Sequence, residues 1–421
     1  MARPTAAAAP AEAGPYDRPA RQTVVTIARL GSYVGSGFSR TCLCAVLLAA
    51  GCATSGSADR STQLSQSGRG AYEASLAVSS DGLAVAWYDI RDGNAEIYVR
   101  FLDRQGVPLG PERRLTFSAD DSYEAHVELV PDAVVVAWYD KSADDGLTAR
   151  LGMWTREGEP RWETAVSSSG RNMRNPVFRV LGDRLLCAWL EDLDEASEVW
   201  VGEWDLEGQP VEPPRRVAAA GSTTWNLNLA VDPHRRAWVV FDATSGTRAE
   251  ELFLVRADQA GKVVRLTDDD GHPSKYPDLV FGGDSVALTW FDDRDGNQEV
   301  YLSVTPALPS VDEVSDHARR VTESPGASIG AYLGWNGRAF GLAWSDDSLG
   351  QHEVYLQSFD ATGEPVGPAA RLTDTSTSSL IPAIEPWQDG FALAWNEWTP
   401  VAEGEAHEAG GPSEIRFVTV P

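Results

Sequence analysis

Two stretches of the chain crowd oxygen-bearing side chains at short intervals: Asp89, Asp92, Asn94 and Glu96, and again Asp292, Asp295, Asn297 and Glu299. Such a pattern could be read as a calcium loop, although calcium takes about six to eight oxygens. It reads equally as a turn, because Asp-Gly-Asn is a turn signal and Asp side chains commonly cap such turns. A third set pairs aromatic or basic residues with polar ones at Tyr72-Glu73, Tyr123-Glu124, Arg174-Asn175, Trp225-Asn226 and Lys275-Tyr276. Aromatic faces beside convergent carboxylates and amides suit a sugar or a peptide. The same residues would also serve to line a solvated channel.

Other chemistry finds little support. The histidines (His126, His234, His272, His317, His352 and His407) show no His-x-x-x-His or Cys/His spacing, which speaks against zinc. Neither Gly-x-Ser-x-Gly nor a phosphate-binding glycine loop is present. With 62 acidic side chains, no one pair can be singled out for acid/base work.

The N-terminal segment differs from the rest. An Ala- and Pro-rich start gives way to a basic patch ending at Arg40, then to the apolar run Cys42 to Ala50 and to Gly51-Cys52. The run is too short to span a bilayer and has the layout of a signal peptide. Leu48-Ala49-Ala50-Gly51-Cys52 resembles the bacterial lipobox, which implies lipidation of Cys52 and a location in the cell envelope. Residues 1–51 are therefore expected to be a signal segment with an N-terminal extension, and 52–61 a flexible tether. Three of the four cysteines fall in that segment, so Cys187 is alone in the mature chain and reads as a small buried hydrophobe. The formal charge of −27 repels phosphate backbones and anionic lipid, so nucleic acid is excluded as a partner and the membrane is reached only through the anchor.

What must position these side chains is a repeat. Trp-x-Asp or a close variant recurs at Trp87/Asp89, Trp138/Asp140, Trp189/Glu191, Val240/Asp242, Trp290/Asp292, Trp344/Asp346 and Trp395/Glu397, with acidic positions 51, 51, 51, 50, 54 and 51 residues apart. A period near 50 residues containing four short strands is one blade of a propeller. The third strand carries Glu-apolar-aromatic (Glu96, Glu198, Glu251, Glu299, Glu353) and the fourth carries Arg-Leu-Thr or nearly so (Arg114, Arg216, Arg265, Arg320, Arg371). A cross-strand ion pair is the simplest account of their joint recurrence. Unit two departs from the pattern at Leu147-Thr148-Ala149.

The expected fold is all-β: a seven-bladed β-propeller of four-stranded antiparallel blades at about 72–117, 123–168, 174–218, 225–267, 275–322, 329–373 and 380–421. The last unit lacks a fourth strand, and Gln63-Leu64-Ser65 looks like a worn Arg-Leu-Thr, so residues 62–65 are expected to close the ring.

Asp89 to Tyr98 with Leu115-Thr116, and Asp292 to Tyr301 with Val321-Thr322, resemble the repeats of the TolB-like propellers. The resemblance implies the fold alone, since the N-terminal domain of that family has no room here.

Three functional classes stay open. The first is a non-enzymatic, lipid-anchored binding or scaffold module, a monomer, for a protein or glycan, with Tyr72, Glu73, Tyr123, Glu124, Arg174, Asn175, Trp225, Asn226 and Tyr276 on the channel rim. The second is a polysaccharide-acting hydrolase or lyase using Tyr72, Glu73, Tyr123, Glu124, Arg174 and Tyr276. The third is a structural surface protein stabilised by calcium.

Overall fold

The computed structural model describes residues 60–421 except 195, 220–223, 225, 246–248, 307, 309 and 399–411. The signal segment, Cys52, most of the tether and Trp225 lie outside the described residues.

Seven four-stranded antiparallel sheets follow one another along the chain as the blades of a propeller. In the first, Ala71–Ser79, Gly82–Asp89, Glu96–Leu102 and Arg113–Arg114 lie side by side in chain order. The first strands of the next five blades are Asp121–Val130, Met173–Val180, Leu227–Val231, Ser274–Gly282 and Ser328–Trp335. The seventh blade is built from Ser378–Trp387, Gly390–Trp398, Ser413–Val420 and, from the other end of the chain, Thr62–Gln63.

Ring closure therefore follows the sequence expectation. Thr62 stands opposite Phe417 and Gln63 opposite Arg416, and the Leu64 amide donates to the Ile415 carbonyl at 2.8 Å. Ser65 accepts from the Ile415 amide at 2.8 Å and donates to Glu414. In the first blade Thr116 does the same job, accepting from the Ile97 amide at 2.8 Å and donating to Glu96 at 2.5 Å. The worn motif has kept the hydroxyl that the repeat needs.

Each second strand is sandwiched between two layers, which is why it is apolar on both sides: every residue of Gly82–Asp89 is buried. The residue before the Trp position is small or β-branched and fully buried in all seven units, from Ala86 to Ala394, so neighbouring sheets approach closely. Trp87 and Tyr98 pack with Leu64, Trp387, Ile415 and Phe417 across the seam between first and last blades. Losing a fully buried aromatic of this kind costs about 3–5 kcal/mol. The one long interval in the repeat, 54 residues, is where a short helix, Val311–His317, is inserted before the fourth strand of blade five. Ser310 and Glu313 cap it reciprocally, each side chain bonding the other's amide.

Candidate functional site

The two oxygen-rich stretches are turns whose oxygens already have protein partners. Asp89 accepts from the Trp87 indole at 3.2 Å, the Ser67 hydroxyl at 2.8 Å and Arg91 at 2.5 Å. Asp92 accepts from Tyr98 and pairs with Arg114 at 3.1 Å, while the Asn94 amide donates to the carbonyls of Ser118 and Asp120. The second copy matches: Asp292 takes the Trp290 indole, Ser274 and Arg294, Asp295 takes Tyr301, and Asn297 donates to the Ser324 carbonyl. Oxygens spent on guanidinium and indole donors are not arranged around a cation. Asp89, Asp92, Asn94, Asp292, Asp295 and Asn297 thus form capped turns that hold adjoining strands.

The Glu and Arg of strands three and four pair in three blades, Glu96–Arg114 at 2.8 Å, Glu198–Arg216 at 2.7 Å and Glu299–Arg320 at 2.8 Å. Blade six differs, for Arg371 turns to Asp374 and Glu353 is held by Thr373. In blade four Glu251 accepts from Thr267 at 2.6 Å, and its other oxygen is buried without a partner. Burial there pushes its carboxyl up to about 7. A hydroxyl at the Thr place meets the glutamate in blades one, four, five and six, and Ser65 does so in blade seven, whereas blade three, with Ala218 there, relies on Arg216.

The rim residues behave differently. Six first strands carry a bulge at one shared place, where pairing with the second strand shifts register. The residue in the bulge has left-handed backbone: Glu73, Glu124, Asn175, Tyr276, Gly330 and Ile381 have φ between 49° and 61°. Only glycine takes this shape freely; for the others it costs about 1–2 kcal/mol each. The bulge turns each of these residues out of the alternating pattern of the strand.

Glu73 of blade one raises the titration of Tyr88 in its own blade, Tyr139 in blade two, Tyr276 in blade five and Tyr332 in blade six. A side chain can act on blades so far apart only from the channel. Burial pushes the Glu73 carboxyl up to about 8, and the neighbouring Glu124 adds to it. Burial likewise pushes Glu124 up to about 7, against the pull of Arg174. The two share a site and titrate together, holding one proton between them near neutral pH. Among the described residues neither carboxylate has a hydrogen-bond or ion-pair partner.

Around them the tyrosines form a ladder. Tyr72 stacks on Tyr88 with centroids 5.3 Å apart, Tyr88 meets Tyr123 edge-on at 5.1 Å, and Tyr123 meets Tyr139 at 5.8 Å. Across the channel Tyr276 stacks on Phe291 at 5.1 Å. Arg174 is held by Asp192 at 3.0 Å and by the Thr224 carbonyl at 2.6 Å. Asn226 is drawn into the fold, its amide donating to Asp242 at 2.9 Å. Of the predicted rim, then, Tyr72, Glu73, Tyr123, Glu124, Arg174 and Tyr276 are linked through contact or charge, Asn175 shares the bulge position, and Asn226 is a structural member.

Sequence reasoning did not find Tyr88, Tyr139 and Tyr332, nor a second tier deeper in the channel. There Arg179 meets His126 at 2.9 Å and Glu128 at 3.4 Å. Asp278 accepts from Asn228 at 2.7 Å and from the Leu333 amide at 2.8 Å. Burial pushes Glu385 up to about 8, with Arg179 opposing and Glu128 and Asp278 reinforcing. Burial and the Arg179 charge keep His126 neutral well below its ordinary range. A signal did exist, namely charged residues at alternate positions of otherwise apolar first strands. Away from the channel a shallow cleft of about 320 Å³ opens at Ser142, Leu147, Gly170 and Arg171, whose guanidinium is already bound to Glu198 at 3.1 Å.

No protein-family model and no curated protein sequence matches the chain. Solved structures do. An ulvan lyase of a new polysaccharide lyase family superposes with a TM-score of 0.58 at 8% identity, covering 86% of this chain and 96% of that one. The polysaccharide lyase Uly1 gives 0.53 at 9% identity, covering 83% and 90%. A puromycin-hydrolysing peptidase of Mycobacterium tuberculosis gives 0.55 at 12% identity, covering 85% of this chain and 53% of that one. The chain thus spans about half the length of that peptidase. At such identities the likeness establishes a shared propeller fold and leaves function to the site.

Proposed function

We propose that the mouth of the channel binds a saccharide chain, and that a lipid on Cys52 anchors the propeller to a bacterial envelope membrane. The observation that carries the reading is the inequality of the inner strands. Six of them share one bulge, yet the residue it holds is Glu, Glu, Asn, Tyr, Gly or Ile. A channel that only drained solvent would have no use for that gradient. Tyrosine faces stack on the apolar faces of sugar rings, while carboxyl and amide groups bond the hydroxyls. That lyases of polysaccharides share the fold adds to the case. A glycan array probed with the purified full chain and with Glu73→Gln and Tyr123→Ala tests it. The expected result is a restricted set of saccharides, lost in both variants; capture of envelope proteins with no saccharide bound would refute it. Radiolabelled palmitate incorporated by the native chain, and not by Cys52→Ser, tests the anchor.

A second reading has its own observation. A pair of carboxyls sharing a proton near neutral pH is suited to general acid and base roles in polysaccharide cleavage. Incubation with polysaccharides, followed by chain length and by absorbance of an unsaturated product, decides it. Shortening that Glu73→Gln and Glu124→Gln abolish would favour turnover over binding alone.

A further inference from the structure

We infer that the saccharide received at this mouth is cationic, held by an ammonium group between the Glu73 and Glu124 side chains and the faces of the surrounding tyrosines. The inference rests on the saccharide reading and adds the charge of the ligand.

Three features point the same way. Tyrosine faces carry negative quadrupole density and attract a cation within about 6 Å of the ring. Four of them adjoin in the ladder from Tyr72 to Tyr139, in which buried Tyr88 and Tyr139 back the part-exposed rings of Tyr72 and Tyr123, with part-exposed Tyr276 and Tyr332 on the far wall, where both glutamates act on them. Second, both carboxylates have no donor from the protein among the described residues, and the nearest guanidinium, Arg174, is engaged by Asp192, Ser197 and the Thr224 carbonyl. Third, the tier beneath sets the carboxylates of Glu128, Asp278 and Glu385 against the one guanidinium of Arg179, with His126 neutral. The channel is therefore acidic over its described depth.

A neutral sugar entering this mouth would strip water from the glutamates and return hydroxyl donors alone, and a uronate would add a like charge. An ammonium group supplies both the missing donors and the missing charge. It replaces the proton that Glu73 and Glu124 share, so one proton leaves as the ligand binds. The groups that set this exchange are Glu73, Glu124 and Arg174, with Tyr72, Tyr88, Tyr123 and Tyr139 on the near wall and Tyr276 and Tyr332 opposite.

Calorimetric titration of the full chain tests the proposal with three probes: an oligoglucosamine with free amino groups, its N-acetylated counterpart, and tetramethylammonium. The free amine should bind at pH 6.5 at least about tenfold more tightly than the acetylated oligomer, the order of one unscreened charge pair. Tetramethylammonium, whose charge is fixed, should bind about tenfold more tightly at pH 8.5 than at pH 6, with less than one proton released at the higher pH. Glu73→Gln combined with Glu124→Gln should remove the preference for the amine while leaving the thermal melt at pH 6, where the pair is largely protonated, in place. Equal affinity for the two oligomers would overturn the ammonium site and leave the saccharide reading standing. Tetramethylammonium binding without binding of either oligomer would keep the ammonium site and overturn the saccharide reading. Binding of none of the three probes would overturn both.

Discussion

Glu96 and Glu73 belong to the same blade, are both withdrawn from bulk water, and have opposite surroundings. Glu96 is fully buried and accepts from Arg114 at 2.8 Å, Thr116 at 2.5 Å, Asn94 at 3.1 Å and the Ser118 amide at 3.1 Å. Glu73, half-buried in the channel wall on left-handed backbone, has no such donor among the described residues. A carboxylate in the first setting stitches strands three and four through its donors; in the second, burial pushes it toward the protonated form and it waits for a partner. Recurrence separates the two, for the stitching glutamate returns in blade after blade while Glu73 is matched only by Glu124.

Substitutions should split along that line. Glu96→Ala would strand the Arg114, Thr116 and Ser118 donors in a dry seam and is expected to cost about 3–5 kcal/mol in denaturant unfolding, with ligand affinity at the mouth unchanged. Leu64→Ala, which hollows the closing seam, should cost about 3 kcal/mol by the same measurement. The pH dependence of stability comes largely from the other class, with the stitching Glu251, pushed up to about 7, adding to it. Glu73, Glu124 and Glu385 have folded pKa values raised above the unfolded one, so the folded chain binds more protons and the stability they contribute at low pH is lost as pH rises through about 7 and 8. The melting temperature should fall as pH rises from about 4.5 and level off above about 8, with His126, whose folded pKa is lowered, working in the opposite sense below about 6.5. Combining Glu73→Gln with Glu124→Gln should flatten that fall. The smallest effect is expected at Glu251, a stitching glutamate with one oxygen unpartnered: Glu251→Gln should cost no more than about 1 kcal/mol, because Thr267 keeps an acceptor.

Much of the fold was legible because a blade repeats its reasons. Trp87 with Ala86 before it, the turn at Asp92 to Asn94, and the hydroxyl at the end of Arg-Leu-Thr each recur, so one copy's noise is averaged out by the others. Ser65 was recognisable as the missing hydroxyl only through that comparison. The site was legible in part. Tyr72, Glu73, Tyr123 and Glu124 stood out as paired types at equivalent places, but the bulge that turns Glu73 and Glu124 into the channel leaves no mark in a sequence where Glu, Tyr and Ile can all occupy it. Tyr88 and Tyr139 lie near the ends of buried second strands, and that their rings also complete the ladder depends on how two blades meet. Arg174 looked like a ligand-binding cation, yet Asp192 and the Thr224 carbonyl hold it, and its effect on Glu124 is through charge. The partners of the oxygen-rich turn were not legible, since Asp89 and Asp92 gather donors from Trp87 on the same strand, Arg91 in the turn, and Tyr98 and Arg114 on the next two strands.

The environment that sets Glu73 apart can be read directly by following side-chain carboxyl carbons by NMR as pH is raised, in the full chain and in Glu124→Gln. Glu73 and Glu124 should titrate as an interacting pair in steps near 8 and 7, with the remaining step at Glu73 moving down when Glu124→Gln removes its neighbour's charge. Independent titration of both groups in the ordinary glutamate range would contradict the account, because it would place them in open solvent with nothing left to offer a ligand.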